Sequence, residues 1–99
     1  MRFVPPKSSE QLEIQAVHRI RQRLVANRTR LVNQIRGLLA EHGLVVARDI
    51  SRIRRALVQI ADGVDHNLGE MFVELVRDVR EELRELDERV VAYTKRIRD

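Results

Sequence analysis

The chain has 99 residues, of which 43% are apolar, 34% are charged and three are aromatic. This length allows one small domain, and a composition rich in Leu, Val, Arg and Glu is typical of long helices around a narrow aliphatic core. An all-β fold is excluded, because a sandwich or barrel would need more β-branched and aromatic strands with turn residues between them.

Four further classes of protein are excluded by what the sequence lacks. There is no cysteine, so neither a disulfide framework nor a thiolate metal site can form. No apolar run approaches the roughly 20 residues needed to cross a bilayer, and the N-terminus has no signal-peptide segment. We therefore expect a cytoplasmic protein with no membrane partner.

The net charge of +4 is divided unevenly along the chain. Residues 1–60 carry 12 basic and 4 acidic side chains, a balance of +8, whereas residues 61–99 carry 7 basic and 11 acidic ones, a balance of −4. Seventeen of the 19 basic residues are arginine, whose forked guanidinium suits bidentate contacts to phosphate or carboxylate. The first 60 residues therefore favour a nucleic-acid partner.

The first predicted element is a long helix. Residues 1–8 contain two adjacent prolines and are predicted to be an extended lead-in. Ser8 and Gln11 then form a capping box, which marks a helix start. The helical pattern continues without a strong breaker to Gly43, the expected left-handed residue after a helix end. We predict a helix over residues 9–42.

The second predicted helix is short and covers residues 49–61. Asp49 or a neighbour is its candidate N-cap, and Gly63 is its candidate end. Its apolar residues recur at spacings of three and four, and so mark one buried face: Ile50, Ile53, Leu57 and Ile60. A second capping box, formed by Asn67 and Glu70, is predicted to start the next helix.

The third helix, predicted over residues 68–98, has the most regular pattern. Eight apolar residues alternate at spacings of four and three, as the a and d positions of a heptad do: Phe72, Val76, Val79, Leu83, Leu86, Val90, Tyr93 and Ile97. We predict that this heptad stripe forms an antiparallel homodimer, because that orientation places Arg80 opposite Asp87 of a second copy. The expected fold is all-α, with two long helices and one short helix in an elongated antiparallel coiled-coil-like assembly.

The first helix favours a different neighbour. Its apolar seam is interrupted by Asn27 and Gln34, and its flanks carry arginines such as Arg21 and Arg28. A parallel self-dimer would set these arginines against each other, so an acidic helix or a polyphosphate is the better neighbour. The third helix is acidic, and a hairpin of the first and third helices is therefore predicted.

Nothing in the sequence forms a complete active site. The three histidines are 24 residues apart, which rules out a helical metal-binding pair, and no nucleotide-binding or nucleophile motif occurs. Asp62, Asp65 and Glu70 could hold a divalent ion, although connection and capping roles account for all three. We expect no cofactor, no metal and no catalysis by this chain alone.

The basic surface is the better candidate for function. Eight arginines are predicted to bind nucleic acid: Arg19, Arg21, Arg23, Arg28, Arg30, Arg36, Arg52 and Arg55. Arg48 and Arg54 extend the same cationic run. No aromatic residues lie between them, so contacts to the backbone or shape of the nucleic acid are expected in place of base stacking. The alternative is that these arginines pair with the acidic third helix.

Several segments together resemble one known family. They are the stretch MRFVPPKSSEQ, the residues His18, Arg19, Arg21, Leu24, Arg28, Thr29 and Leu31, and the run NQIRGLLAE before Gly43. These residues resemble the central helical region of DEDD-type bacterial insertion-sequence transposases, the bridge-RNA-guided recombinases. The run EELRELDER of residues 81–89 is similar to the same region but less specific.

The resemblance implies a non-catalytic module that dimerises and helps to hold guide RNA and DNA. In that family an RNase H-like domain with four metal-binding acidic residues precedes the helical region, and a domain with a catalytic serine follows it. Ser8, Ser9 and Ser51 do not match that serine, so no catalytic residue is carried over. The alternative is an unrelated coiled-coil scaffold that binds a helix of another protein.

Overall fold

The computed structural model describes residues 8–63 and 68–98. It contains three helices, α1 (Ser9–Glu41), α2 (Ile50–Ala61) and α3 (Glu70–Arg98), and these two described ranges contain no strand. The all-α fold with two long helices and one short helix is confirmed. None of the three helices is both long enough and apolar enough to span a membrane.

Local hydrogen bonds set the ends of α1. The Ser8 hydroxyl accepts from the Gln11 amide and the Gln11 side chain accepts from the Ser8 amide, both at 3.1 Å, so the predicted capping box is present. Gly43 follows the helix with φ of 79°, a left-handed conformation that glycine adopts without steric cost. Its amide donates to the Ala40 carbonyl at 3.0 Å. The other predicted capping box involves Asn67, which lies outside the described residues.

The two long helices form an antiparallel hairpin. Near the start of α1, Arg21 donates a hydrogen bond to Thr94 near the end of α3. After the end of α1, the ring of His42 lies 3.9 Å from the ring of Phe72 near the start of α3. The two helices therefore run in opposite directions. The sequence predicted this hairpin because the third helix is acidic and the first is basic.

The short helix packs on one side of this hairpin. Arg54 in α2 contacts Asp87, and the Ala61 carbonyl accepts from Arg77, so α2 also runs antiparallel to α3. With 12 residues, α2 covers about 18 Å of helix length at roughly 1.5 Å per residue. The described parts of the chain measure 67 × 28 × 22 Å, which is an elongated shape.

The core is aliphatic apart from one phenylalanine ring. It joins side chains from all three helices: Leu24, Leu31, Val32, Ile35 and Leu39 of α1, Ile53, Leu57 and Ile60 of α2, and Phe72, Val76, Leu83, Leu86 and Val90 of α3. No polar or charged residue of the described ranges is buried. Burial of each large apolar side chain contributes about 1.5–3 kcal/mol, so this core holds the three helices together.

The heptad stripe of α3 is packed inside the single chain. Five of its members are buried against α1 and α2, namely Phe72, Val76, Leu83, Leu86 and Val90, and Val79, Tyr93 and Ile97 are half-buried. Self-pairing through this stripe would first have to displace α1 and α2. The homodimer through residues 72–97 stays a prediction, and it requires this displacement.

Candidate nucleic-acid interface

Two of the eight predicted nucleic-acid-binding arginines turn toward α3. The Arg21 Nε donates to the Thr94 hydroxyl at 2.9 Å, and a terminal nitrogen of Arg28 donates to Asp87 Oδ1 at 3.3 Å. Arg21 and Arg28 are seven residues apart and so share one side of α1. Both are half-buried on the side that faces α3. Among the described residues Arg28 is paired with a carboxylate, whereas Arg21 bonds a neutral hydroxyl.

Asp87 holds arginines from both other helices. The same Oδ1 atom accepts from a terminal nitrogen of Arg54 at 2.7 Å. The side chains are partly exposed, 29% for Asp87 and 40% for Arg54. The Nε atom of Arg54 is buried and has no partner among the described residues. One carboxylate therefore joins α1, α2 and α3. For Arg28 and Arg54 this is the alternative stated from the sequence, in which the arginines pair with the acidic third helix.

Three other predicted arginines point away from the core. Arg19, Arg23 and Arg30 are exposed on α1, and their spacings of four and seven place them along one stripe about 16 Å long. Arg30 donates to the Asn27 side chain at 3.3 Å. Within residues 8–63 and 68–98, none of the three forms an ion pair. We call Arg19, Arg23 and Arg30 the arginine stripe.

Arg52 and Arg55 are exposed on the outer face of α2, close to its N-cap. The N-cap is Asp49, which accepts from the Ser51 hydroxyl at 2.7 Å and from the Ser51 amide at 3.1 Å. These hydrogen bonds, reinforced by the charges of Arg52 and Arg55, lower the pKa of Asp49 below its ordinary value of 3.8. Asp49 is therefore ionised at neutral pH and offsets part of the positive charge at this end of α2.

Arg36, the remaining predicted arginine, borders a cleft between α1 and the connection that follows it. The cleft has a volume of about 420 Å³, and Arg48 contributes to its opposite wall. Its other lining residues are small, apolar or amide: Asn33, Gly37, Ala40, Val45, Val46 and Ala47. Arg36 is half-buried and Arg48 is exposed. The fold thus brings together two arginines that are 12 residues apart in sequence.

Some charged residues of α3 contact another helix and others pair with each other on the exposed face, and the sequence did not distinguish the two groups. The Nε and a terminal nitrogen of Arg77 donate to the Ala61 carbonyl at 3.1 and 3.0 Å, which closes the last turn of α2. No spacing rule connects residues 16 positions apart, so no local signal predicted this contact. On the exposed face, Arg84 bonds Glu81 and Glu88, and its hydrogen bond lowers the pKa of Glu81.

Metal ligands are not grouped in the described ranges. No three His, Asp or Glu side chains of residues 8–63 and 68–98 come close enough together to hold an ion. Of the three acidic residues considered from sequence, Asp65 lies outside these ranges, while Asp62 and Glu70 are exposed at helix ends.

Comparison with curated proteins gives transposases as relatives. A "Probable family 20 transposase" of Pseudomonas aeruginosa is 39% identical over 98% of this chain. The transposase for insertion sequence element IS1111A of Coxiella burnetii is 38% identical over 99% of the chain, and that for IS1328 of Yersinia enterocolitica is 34% identical over 77%. The chain is similar to insertion-sequence transposases over nearly its whole length. The predicted resemblance is confirmed at this level.

The similarity covers only part of each transposase. The chain spans 29% of the Pseudomonas protein, 27% of the Coxiella protein and 22% of the Yersinia protein. No protein-family model and no solved structure matches the chain. The chain therefore matches a segment that makes up less than a third of each of these transposases.

Proposed function

We propose that this chain is a non-catalytic helical module of an insertion-sequence transposase that binds nucleic acid through outward-facing arginines. The observation that carries the proposal is the arginine stripe, which is exposed and forms no ion pair with a described residue. In a DEDD-type transposase the module would lie between the two catalytic domains and would hold guide RNA and DNA. Its catalytic partners would then be those domains.

The geometry of the stripe suits a phosphate backbone. A stripe about 16 Å long faces roughly five phosphates of one strand, at about 3.4 Å of duplex axis per phosphate. Arg52 and Arg55 add a second exposed pair on α2. Each arginine that neutralises a phosphate releases condensed counterions, so affinity falls as salt rises. The lack of exposed aromatic residues in α1 and α2 favours contacts to the backbone over base stacking.

A salt series tests this proposal with two variants of equal net charge. The first replaces the stripe, Arg19, Arg23 and Arg30, with glutamate. The control replaces three exposed basic residues of α3 with glutamate: Arg80, Lys95 and Arg98. Fluorescence anisotropy with structured RNA and with duplex DNA would give affinity at each salt concentration. We expect the stripe variant to reduce the slope of log affinity against log salt by about 2–3 and the control to change it much less.

Two outcomes would contradict the proposal. If the unaltered chain binds neither RNA nor DNA at low salt, the scaffold that binds another protein helix is the better interpretation. If both variants lose affinity equally, net charge alone drives binding and no defined surface exists. Substitution of Arg21 or Arg28 is a poor test, since both contact α3 and their loss would lower stability as well.

Homodimerisation is the second part of the proposal, and the structure offers a surface for it other than the heptad stripe. A cleft of about 340 Å³ lies between α1 and α3. Its walls carry Arg30 and Arg89 as well as Glu82 and Glu85, together with the two amides that interrupt the seam of α1. A patch with two charges of each sign can pair with a second copy of itself. This face leaves α1 and α2 in place. Because it includes Arg30, Arg19 and Arg23 are the members of the arginine stripe that would stay open to nucleic acid in such a dimer.

Equilibrium sedimentation at micromolar concentration tests this part. We expect a dimer, and we expect the double variant Glu82→Arg with Glu85→Arg to weaken it by repulsion. The matched control reverses Glu81 and Glu88, which pair with Arg84 on the exposed side of α3. A chain that sediments only as a monomer would remove dimerisation from the proposed function.

A further inference from the structure

We propose that the cleft between α1 and the connection 43–49 binds one unpaired nucleotide of a single-stranded nucleic acid, with Arg36 and Arg48 on the flanking phosphates. The inference rests on the nucleic-acid binding proposed above and adds a defined site and a class of strand. We name this feature the Arg36–Arg48 cleft.

The shape of the cleft comes from small residues on both walls. Gly37 and Ala40 form much of the α1 wall, and Val45, Val46 and Ala47 form the wall from the connection. A Cβ atom added at Gly37 would meet nothing within 4 Å, so the space beside this glycine is open. The volume of about 420 Å³ lies within the range of roughly 300–1,000 Å³ that small-ligand sites occupy.

The electrostatics of the cleft favour an anion. Within residues 8–63 and 68–98, no carboxylate lines it, and neither Arg36 nor Arg48 forms an ion pair. The backbone amides of residues 45–48 also lack a hydrogen-bond acceptor within the described ranges, whereas the Leu44 amide donates to the Leu39 carbonyl at 2.8 Å. Two guanidinium groups, together with backbone amides that have no acceptor among the described residues, are a suitable setting for phosphate.

The apolar part of the cleft distinguishes a single strand from a duplex. Val45 is 92% exposed, and it lies beside Val46 at the same cleft. A duplex keeps its bases stacked and presents a sugar-phosphate surface, so it would gain little from exposed apolar side chains beside the arginines. An unpaired nucleotide can place its ribose and base against these valines while its phosphates reach the arginines. No aromatic residue of the described part of the chain lines the cleft, so binding would not depend on base identity.

The test fills the cleft without changing its charge. Gly37→Leu places a side chain in the open space and replaces a poor helix former, so the fold should be retained. Ala92→Leu, at an exposed position of α3, is the matched control. Anisotropy would be measured with labelled 12-nucleotide oligouridylate and oligothymidylate, and with a 12-base-pair duplex. Far-UV circular dichroism and the thermal unfolding midpoint would verify that both variants are folded.

We expect Gly37→Leu to weaken binding of the single strands by about tenfold, with duplex binding within about twofold of the unaltered chain. Arg36→Ala with Arg48→Ala should give the same selective loss, and it serves as the second variant if Gly37→Leu does not fold. The ratio of the oligouridylate and oligothymidylate affinities identifies RNA or DNA as the strand, and either one supports the site.

Other results would overturn the inference and separate it from the proposed function. Unchanged single-strand affinity in both cleft variants, together with loss in the stripe variant, removes this site and leaves the proposed function standing. Equal loss for single strands and duplex removes the assignment to an unpaired nucleotide. Absence of binding by the unaltered chain removes the proposed function, and the site with it.

Discussion

The most informative single substitution is Asp87→Asn, which keeps the size of the side chain and removes its charge. One oxygen of Asp87 accepts from Arg28 at 3.3 Å and from Arg54 at 2.7 Å. Because the side chains are 28–40% exposed, each ion pair is partly screened and is worth at most about 1 kcal/mol. The buried Nε of Arg54 has no partner among the described residues. Loss of the Asp87 charge would weaken the hydrogen bond that its guanidinium does make, which adds to the cost.

We therefore expect Asp87→Asn to lower the free energy of unfolding by about 1–2 kcal/mol. Urea unfolding followed by far-UV circular dichroism would measure it, and 1 M salt should reduce the difference because the pairs are partly exposed. Asp78→Asn is the control, since Asp78 is exposed on the same helix and forms no ion pair with a described residue. A change below about 0.3 kcal/mol, well under the value of one charged hydrogen bond, would refute the claim that Asp87 joins the three helices.

Three further predictions concern the fold. Leu57→Ala should lower the free energy of unfolding by about 2–5 kcal/mol in urea, since Leu57 is 1% exposed; a smaller loss would mean that α2 packs loosely. Ser8→Ala should speed amide hydrogen exchange in the first turn of α1 and lower the free energy of unfolding by about 0.5–1 kcal/mol, because it removes the capping-box hydrogen bond to the Gln11 amide; an unchanged exchange rate in that turn would contradict it. Hydrogen bonds from Ser51 lower the pKa of Asp49. The stabilisation of α2 by the Asp49 carboxylate is therefore present above pH 3.8 and is lost as pH falls through the lowered pKa. Asp49→Asn should remove this pH dependence from the acid unfolding transition, and an unchanged transition in the variant would contradict the prediction.

The heptad pattern of α3 shows what periodicity can predict and what it cannot. Spacings of four and three correctly indicate that one side of the helix is buried, and Val76 and Leu83 are indeed almost inaccessible. Periodicity does not identify the partner, because a second copy and another helix of the same chain bury a stripe equally well. Here α1 and α2 of the same chain bury it. The heptad stripe alone was enough to predict the fold class. Prediction of a dimer also required knowing which helix buries the stripe, and periodicity does not give this.

Some of the arginines contact α3 and others are exposed, and the sequence predicted this division only in part. Arg21 and Arg28 are seven residues apart, and their positions on the flank of the α1 seam indicated an acidic neighbour. Helix α3 supplies the Asp87 carboxylate to Arg28 and the neutral Thr94 hydroxyl to Arg21. The contact of Arg54 with Asp87, and the approach of Arg48 to Arg36, depend on the path of the connection between α1 and α2. Tertiary packing sets that path. Residues 43–49 have no periodic pattern, so the sequence could not predict it.

The limited length of α2 gives the hairpin two regions of different stability. Burial is complete around Ile35 and Val76, where α2 adds a third layer, whereas Ile20, Tyr93 and Ile97 are only half-buried at the other end. That end consists of two helices and should open at a lower free energy than the whole fold, so its amides should exchange first. Such partial opening would uncover the last part of the heptad stripe for a second copy while the rest of the chain stays folded.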